Sequence, residues 1–359
     1  MAAVSATSKR AKSASGGTEP GQEPLDYDTV AVELLRALRG SRSRAEFSRR
    51  MGYRSNVAHR WEARRSWPTA ARYLQLWRRL HPEGSSCFER FFQRAPTWLA
   101  EHVPESPEGV AAFMRELRGK APIGSLAELA GSSRYRISRW LSGATQPSLP
   151  EFLGFVEVAS RRGLDFIALC SEPSRLPSVA RRWQALEAAR AAAYQHPWSH
   201  AVLRALEIEP QPETAHAQVA ALAARLGIDG ETVRAGLDAL RSAGQVSQRR
   251  GRFVVAGQLA INTSQDRELA RQVKAVWTRT ALERLEQGSA GNFGYSLFAI
   301  SRRDLRRLRD LHLEYVRAMQ ELIARSQPSE CVALYCSQLL DLAGDDNALS
   351  PRVGAKARR

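Results

Sequence analysis

Lysine is almost missing from this chain. Of the 53 basic residues among its 359, only Lys9, Lys12, Lys120, Lys274 and Lys356 are lysines, and the rest are arginines. That scarcity excludes a P-loop, whose phosphate cradle needs a lysine after its glycines, and Gly288, Gly291 and Gly294 read as loop glycines. Acid is short as well: 37 Asp and Glu leave a net charge of +16. The four cysteines, Cys87, Cys170, Cys331 and Cys336, form no C-x-x-C pair, so neither zinc nor a dithiol redox motif is indicated. They fit reduced thiols in a cytoplasm. No run approaches the ~20 apolar residues of a membrane span. The seven histidines are dispersed, and neither H-E-x-x-H nor G-x-S-x-G occurs. His196 and His200 stand four apart without a third ligand nearby, and Asp345-Asp346 fall in a tail. No catalysis, metal or cofactor is expected.

What is present is a stretch used twice. Residues 36–76 recur at 115–155 without a gap, at an offset of 79 (Trp140 against Trp61). Arg36, Leu38, Arg39, Gly40, Gly52, Arg60, Trp61, Pro68 and Leu74 meet identical residues. Phe47 meets Leu126, and Tyr73 meets Phe152. In the second copy Ser125–Ala130 reads as a short helix closed by Gly131, which tolerates a left-handed backbone. Ser132 and Ser133 can cap the next helix, Arg134–Leu141. Ile137, Trp140 and Leu141 then face inward, and Arg134, Tyr135, Ser138 and Arg139 face out. Pro147 opens a further helix. The first copy repeats this with Glu46–Met51, Gly52, Ser55–Glu62 and Pro68, although Arg54 is a poor cap and Ala58 replaces Ile137. Arginine concentrates here: between Ser41 and Leu80 eleven arginines face two acids, Glu46 and Glu62. A basic cluster on paired helices is the electrostatic footprint of nucleic-acid binding. A GC-rich genome alone also yields arginine in place of lysine, so charge by itself names no partner.

These residues resemble the repressor type of helix-turn-helix. Phe47-Ser48, Gly52, Arg60-Trp61-Glu62 and Pro68 follow its pattern, as do Leu126-Ala127, Gly131, Arg139-Trp140 and Pro147. Leu141 departs from the usual glutamate. The resemblance implies base contacts from Ser55, Asn56 and Arg60 in the first copy, and from Arg134, Tyr135 and Arg139 in the second. The family's phosphate-binding glutamine before the first helix is absent, with Arg44 and Ile123 in its place. Arg44 can still hold phosphate, and Ile123 cannot. Arg49, Arg54, Arg64 and Arg65 are the further phosphate candidates.

The chain is expected to divide into a tail (1–24, without the apolar core of a signal peptide), a first helix-turn-helix domain (25–81), a connector (82–108), a second such domain (109–162), linker helices (163–193), a winged-helix domain (194–256), a small α/β domain (257–342) and a basic tail (343–359). The connector's Phe88, Phe91, Phe92, Trp98 and Leu99 have helical spacing and should pack the two units together. In 194–256, helices Trp198–Ile208, Thr214–Leu226 and Glu231–Ala243 precede two alternating strands about Arg250-Gly251. That order looks like winged-helix repressors, with Arg234, Arg249, Arg250 and Arg252 as phosphate candidates. Winged helices also serve as dimer or packing modules, and the sequence leaves both readings open. In 257–342 a long helix, a strand at Phe293–Ile300, a helix capped by Ser301 and a second strand at Cys331–Leu340 make the α/β piece. The stretch 183–342 resembles bacterial helix-turn-helix regulators with an uncharacterised C-terminal domain.

The fold expected is mainly α, and the function a DNA-binding transcription regulator of the cytoplasm and nucleoid. Its implied partners are double-stranded DNA, a second copy forming a homodimer, and an effector of unknown chemistry. The competing reading is a scaffold or antirepressor that uses the same folds for protein contact. Single-stranded RNA binding is weaker, because no aromatic stacking platform is present.

Overall fold

The computed structural model describes residues 25–82, 87–92, 96–256, 261–263 and 266–342. The expected tails at 1–24 and 343–359 lie outside the described residues. What is described is mainly helical, with a single two-stranded sheet.

The first copy folds as α1 (Tyr27–Arg39), α2 (Arg44–Arg50), α3 (Val57–Glu62) and α4 (Ala70–Leu80). A short connector, α5 (Cys87–Phe91), and a 3-10 turn (Thr97–Ala100) lead to the second copy. That copy comprises α6 (Pro107–Arg118), α7 (Ile123–Leu129), α8 (Arg134–Leu141) and α9 (Leu149–Ser160). Adding 79 to the bounds of α2 gives those of α7, and α1, α3 and α4 match α6, α8 and α9 within two residues. The helices start where a side chain can accept their free N–H groups: Asp26, Ser43, Thr69, Ser106 and Ser133 each do so. Ser148 and Glu151 form a full capping box on α9.

One apolar core runs through both copies and α10 (Gly163–Cys170). Connector Phe88 stacks on Phe113 at 4.1 Å, and Phe113 in turn meets Phe152 and Phe166 at 5.8 and 5.7 Å. The connector rings thus pack on the second copy and α10, within the one core that also holds the first copy. The same core brings Cys87 and Cys170 to 4.0 Å between sulfurs, both reduced and buried. The hydrogen bond with Cys87, together with burial, pushes the Cys170 thiol well above its ordinary pKa.

The link to the second half is α11 (Pro177–Gln195). Its first N–H is capped by another helix: Glu33 of α1 accepts from the Ser178 backbone at 3.2 Å and its hydroxyl at 2.7 Å. Further along, Arg190 pairs with Asp165 of α10, each side chain 4% exposed. Then follow α12 (Trp198–Leu206), α13 (Ala215–Leu226), α14 (Gly230–Ser242) and the hairpin β1 (Val246–Arg249) with β2 (Arg252–Val255) around a second core. Arg250 and Gly251 take φ of +50° and +79°, which a two-residue hairpin turn requires. The buried amide of Gln218 locks the hairpin to α13, donating to the Phe253 carbonyl and accepting from its N–H.

The remainder corrects the sequence expectation of an α/β domain. Two helices form, α15 (Arg267–Glu286) and α16 (Arg302–Arg325), but neither Phe293–Ile300 nor Cys331–Leu340 is a strand. Alternation tells which way side chains want to point, whereas a strand exists only through a hydrogen-bonded neighbour. Neither segment has one: no residue of 293–300 or 331–340 makes a backbone–backbone hydrogen bond among the described residues.

The buried Arg190–Asp165 pair should behave as such pairs do. Replacing Asp165 alone by alanine takes a buried carboxylate from both Arg190 and Arg162, leaving Arg190 only Glu187, and should cost about 3–5 kcal/mol. The double change Asp165→Leu with Arg190→Met should recover most of that loss. Urea unfolding of the three proteins measures both, and a cheap single variant would show that the pair does not hold α10 to α11.

Candidate nucleic-acid interface

In each copy two short helices cross closely. In the first, buried Ser48 sits at the crossing, its hydroxyl donating to the Arg44 carbonyl at 2.8 Å and accepting from the Ala58 N–H at 3.1 Å. Ala127 occupies the equivalent place in the second copy and is also buried. Small residues are what allow that approach. Trp61 and Trp140 anchor α3 and α8 in the core, with 5% and 3% exposure.

Arg60 on α3 and Ser55 and Asn56 just before it are all exposed. The start of α3 differs from the sequence expectation. The cap is Asn56, whose Oδ1 accepts from the His59 N–H at 3.2 Å, so Ser55 lies ahead of the helix. The second copy caps at Ser133, equivalent to Arg54, which is why α3 is two residues shorter than α8. Arg49, Arg54, Arg60 and Arg65 are exposed and make no ion pair among the described residues. Arg64 instead turns back on α1. It takes a left-handed φ of +57°, its guanidinium donates to the Thr29 hydroxyl at 2.6 Å, and it lies 3.6 Å from Asp26.

On α8, Arg134 and Tyr135 are exposed, Tyr135 by 70%. Arg139 is half-buried and donates to the Tyr135 hydroxyl at 2.9 Å, with its guanidinium over the ring. The two form one aromatic–cation unit on the surface. Arg136, which the sequence reading passed over, pairs with Glu151 of α9 and lies over Trp140. It clamps α8 to α9 and leaves the outward face to its neighbours.

The two copies differ at one charged centre. The Glu62 carboxylate, 2% exposed, receives Arg39 at 2.7 Å and Arg44 at 2.9 Å, with Arg36 at 3.6 Å. Burial would raise its pKa, but the hydrogen bonds and charges of Arg39 and Arg44 outweigh it and hold the carboxyl below its ordinary value. Arg44, a phosphate candidate, therefore has its Nε committed within the protein while its side chain stays 46% exposed. In the second copy Leu141 replaces Glu62 and Ile123 replaces Arg44. Arg115, the counterpart of Arg36, turns to the Leu141 carbonyl at 2.7 Å.

How the copies meet was not legible in the sequence. Thr69 and Ser148, equivalent positions, face each other in an antiparallel bridge. The Ala70 N–H donates to Pro147 O and the Leu149 N–H to Pro68 O, both at 3.0 Å. Exchanging the copies maps each bond onto the other. Likewise α1 packs on α9 and α4 on α6, a reciprocal pair of contacts. This is the signature of a two-fold relation, as in an isologous dimer.

Arg234 is exposed on α14, Arg249 and Arg250 are exposed at the hairpin turn, and Arg252 is half-buried on β2. Residues 178–340, from α11 onward, match the model of a family described as a domain of unknown function (DUF4423). No curated protein and no solved structure matches the chain. Among the described residues no helix is long and apolar enough to cross a membrane.

The second copy indicates how Glu62 should respond to substitution. Glu62→Leu alone leaves Arg39 and Arg44 without their acceptor and should cost about 1–3 kcal/mol. Adding Arg44→Ile installs the second copy's own pair and should restore part of it. The lowered Glu62 pKa stabilises the fold above its ordinary value of 4.5 and that contribution disappears as pH falls through the folded value. Urea midpoints at pH 7 and pH 3 should thus differ less in the double variant than in wild type; equal differences would remove Glu62 from the acid response.

Proposed function

We propose that this chain is a DNA-binding transcription regulator. In this reading α2–α3 and α7–α8 are repressor-type helix-turn-helix units that set α3 and α8 in successive major grooves. The observation that carries it is the reciprocal Thr69–Ser148 junction, which relates two exposed arginine-bearing helices by a two-fold inside one chain. Repressor-type dimers meet DNA with that symmetry, and here covalent linkage replaces association. Units related by translation would read a direct repeat. Units related by a two-fold read an inverted repeat, with half-sites about 10 base pairs apart.

The arrangement of side chains supports distinct roles. Arg60, Arg134 and Arg139 present guanidinium groups suited to guanine edges, with Ser55, Asn56 and Tyr135 beside them. Arg49, Arg54 and Arg65, exposed and without carboxylate partners among the described residues, suit phosphates, and Arg44 offers what Glu62 leaves of it. Arg64 contributes less, because its guanidinium is turned toward Asp26 and Thr29. Because Arg44 and Arg54 have no basic counterparts in the second copy, the half-sites are bound with unequal strength. We read α12–α14 with the β1–β2 hairpin as a winged helix, whose Arg234, Arg249, Arg250 and Arg252 flank a second surface for phosphate.

Selection from a random duplex pool tests this. Wild type should enrich an inverted repeat. Arg60→Ala and Arg139→Ala should each relax preference in a different half-site by about 1–3 kcal/mol, or roughly 5- to 150-fold. Arg49→Gln, Arg54→Gln and Arg65→Gln should weaken all sequences alike and flatten the dependence on salt. Absent or salt-independent binding to duplex would favour the scaffold or antirepressor reading.

A further inference from the structure

The last part of the chain leaves a large apolar surface uncovered. Eighteen large apolar side chains stand exposed among the described residues, and all but Val103, Leu129 and Tyr135 fall within 282–342. Tyr295 is 91% exposed, Leu297 79% and Leu322 72%. At roughly 60–120 Å² apiece these side chains expose in total, over α15, α16 and the two extended segments, on the order of 1,200 Å² of apolar surface. A stable protein interface needs about 800 Å² from each partner.

The same region has backbone to pair. Segment 331–340 lies between two helices with alternate side chains on opposite sides, the geometry of a strand. Tyr335 and Ser337 turn to His312 of α16, through ring stacking and a 3.1 Å hydrogen bond. Cys336 and Gln338 turn to Trp277 and Thr278 of α15. Its faces are thus partly covered, and its edges, like those of 293–300, carry no backbone hydrogen bond among the described residues. Open edges of this kind pair with whatever strand is offered.

We propose that a second copy of this chain covers this surface, with 293–300 and 331–340 of the two copies pairing as strands under the α16 helices. A second copy fits because each chain both lacks and offers the same things: two open edges and one apolar helical face. A two-fold satisfies both chains at once. The available area exceeds what such an interface consumes. The inference stands apart from DNA binding, since it rests on none of the residues of α1 to α9.

Sedimentation equilibrium of the full chain, with hydrogen exchange read by mass spectrometry, tests it. Wild type should run at twice the chain mass across the micromolar range. The amides of 293–300 and 331–340 should exchange slowly when concentrated and faster on dilution. Leu297→Arg and Leu322→Arg should each weaken self-association by about 100-fold or more. Leu334→Pro, which removes a backbone donor, should weaken it more than Leu334→Ala. A wild-type chain that stays monomeric with those amides unprotected overturns the proposal, and so does a dimer untouched by Leu297→Arg and Leu322→Arg. If a variant aggregates, the concentration dependence of wild-type exchange still decides: protection that ignores concentration refutes pairing between copies.

Discussion

The first N–H groups of any helix have no carbonyl within that helix to accept them. In α4 and α9 the very first of these, on Ala70 and Leu149, are accepted by Pro147 and Pro68 of the opposite copy. The side chains of Thr69 and Ser148 meanwhile cap their own helices, so each cap residue closes its helix with its side chain while its backbone lies in the bridge. Proline suits the position before the cap, because it supplies a carbonyl and has no N–H left unsatisfied there. Both copies need both features, since every bond across a two-fold has a mate. That reciprocity fixes the relative orientation of the copies, and with it the faces that α3 and α8 turn outward. The shared phenylalanine core behind the junction then adds apolar burial to a geometry the four backbone groups already define.

Within that frame the copies solve one local problem in two ways. Between the first and third helix, the first copy buries a carboxylate under arginines, and the second places Leu141 and Ile123. A buried ion pair and an apolar pair of similar volume can be close in net stability, so the fold accommodates either. Their electrostatic consequences differ. The first copy keeps a strongly positive rim, whereas the second concentrates its outward charge on Arg134 and the Arg139–Tyr135 unit. Identity between the copies falls both on packed positions such as Leu38, Trp61 and Leu74 and on exposed ones such as Gly52 and Arg60.

The same contrast explains what could be read in advance. Trp61 with Trp140, Gly52 with Gly131 and Pro68 with Pro147 are positions where packing or backbone conformation permits few residue types, so the repeat was visible, and the helices lay within about two residues of their expected bounds. The cap of α3 was missed because the equivalent slot holds Arg54 and the chain resolves this two residues later at Asn56. The two-fold was invisible, since an offset of 79 is equally consistent with translation or rotation. The strands failed for a different reason: Phe293–Ile300 and Cys331–Leu340 have the pattern of strands, but a pattern carries no information about a neighbour. The Glu33 cap on α11 and the Arg190–Asp165 pair were likewise illegible, because they join residues far apart in sequence.

Under the regulator reading, the two kinds of symmetry do different work. The junction inside the chain holds its two recognition helices at a fixed effective concentration, independent of how much protein is present. A regulator so built can occupy an inverted repeat as a single chain. An interface through 282–342 would join two such units, and its engagement would depend on protein concentration and on anything that binds the C-terminal half. α11 is the element between them, fastened at one end to α1 by Glu33 and along its length to α10 by Asp165. A displacement of α11 would therefore act first on α1 and α10, whose packing partner α9 begins at the junction itself. Any coupling between the two halves has that short, charged route available to it, through the Glu33 cap and the buried Arg190–Asp165 pair.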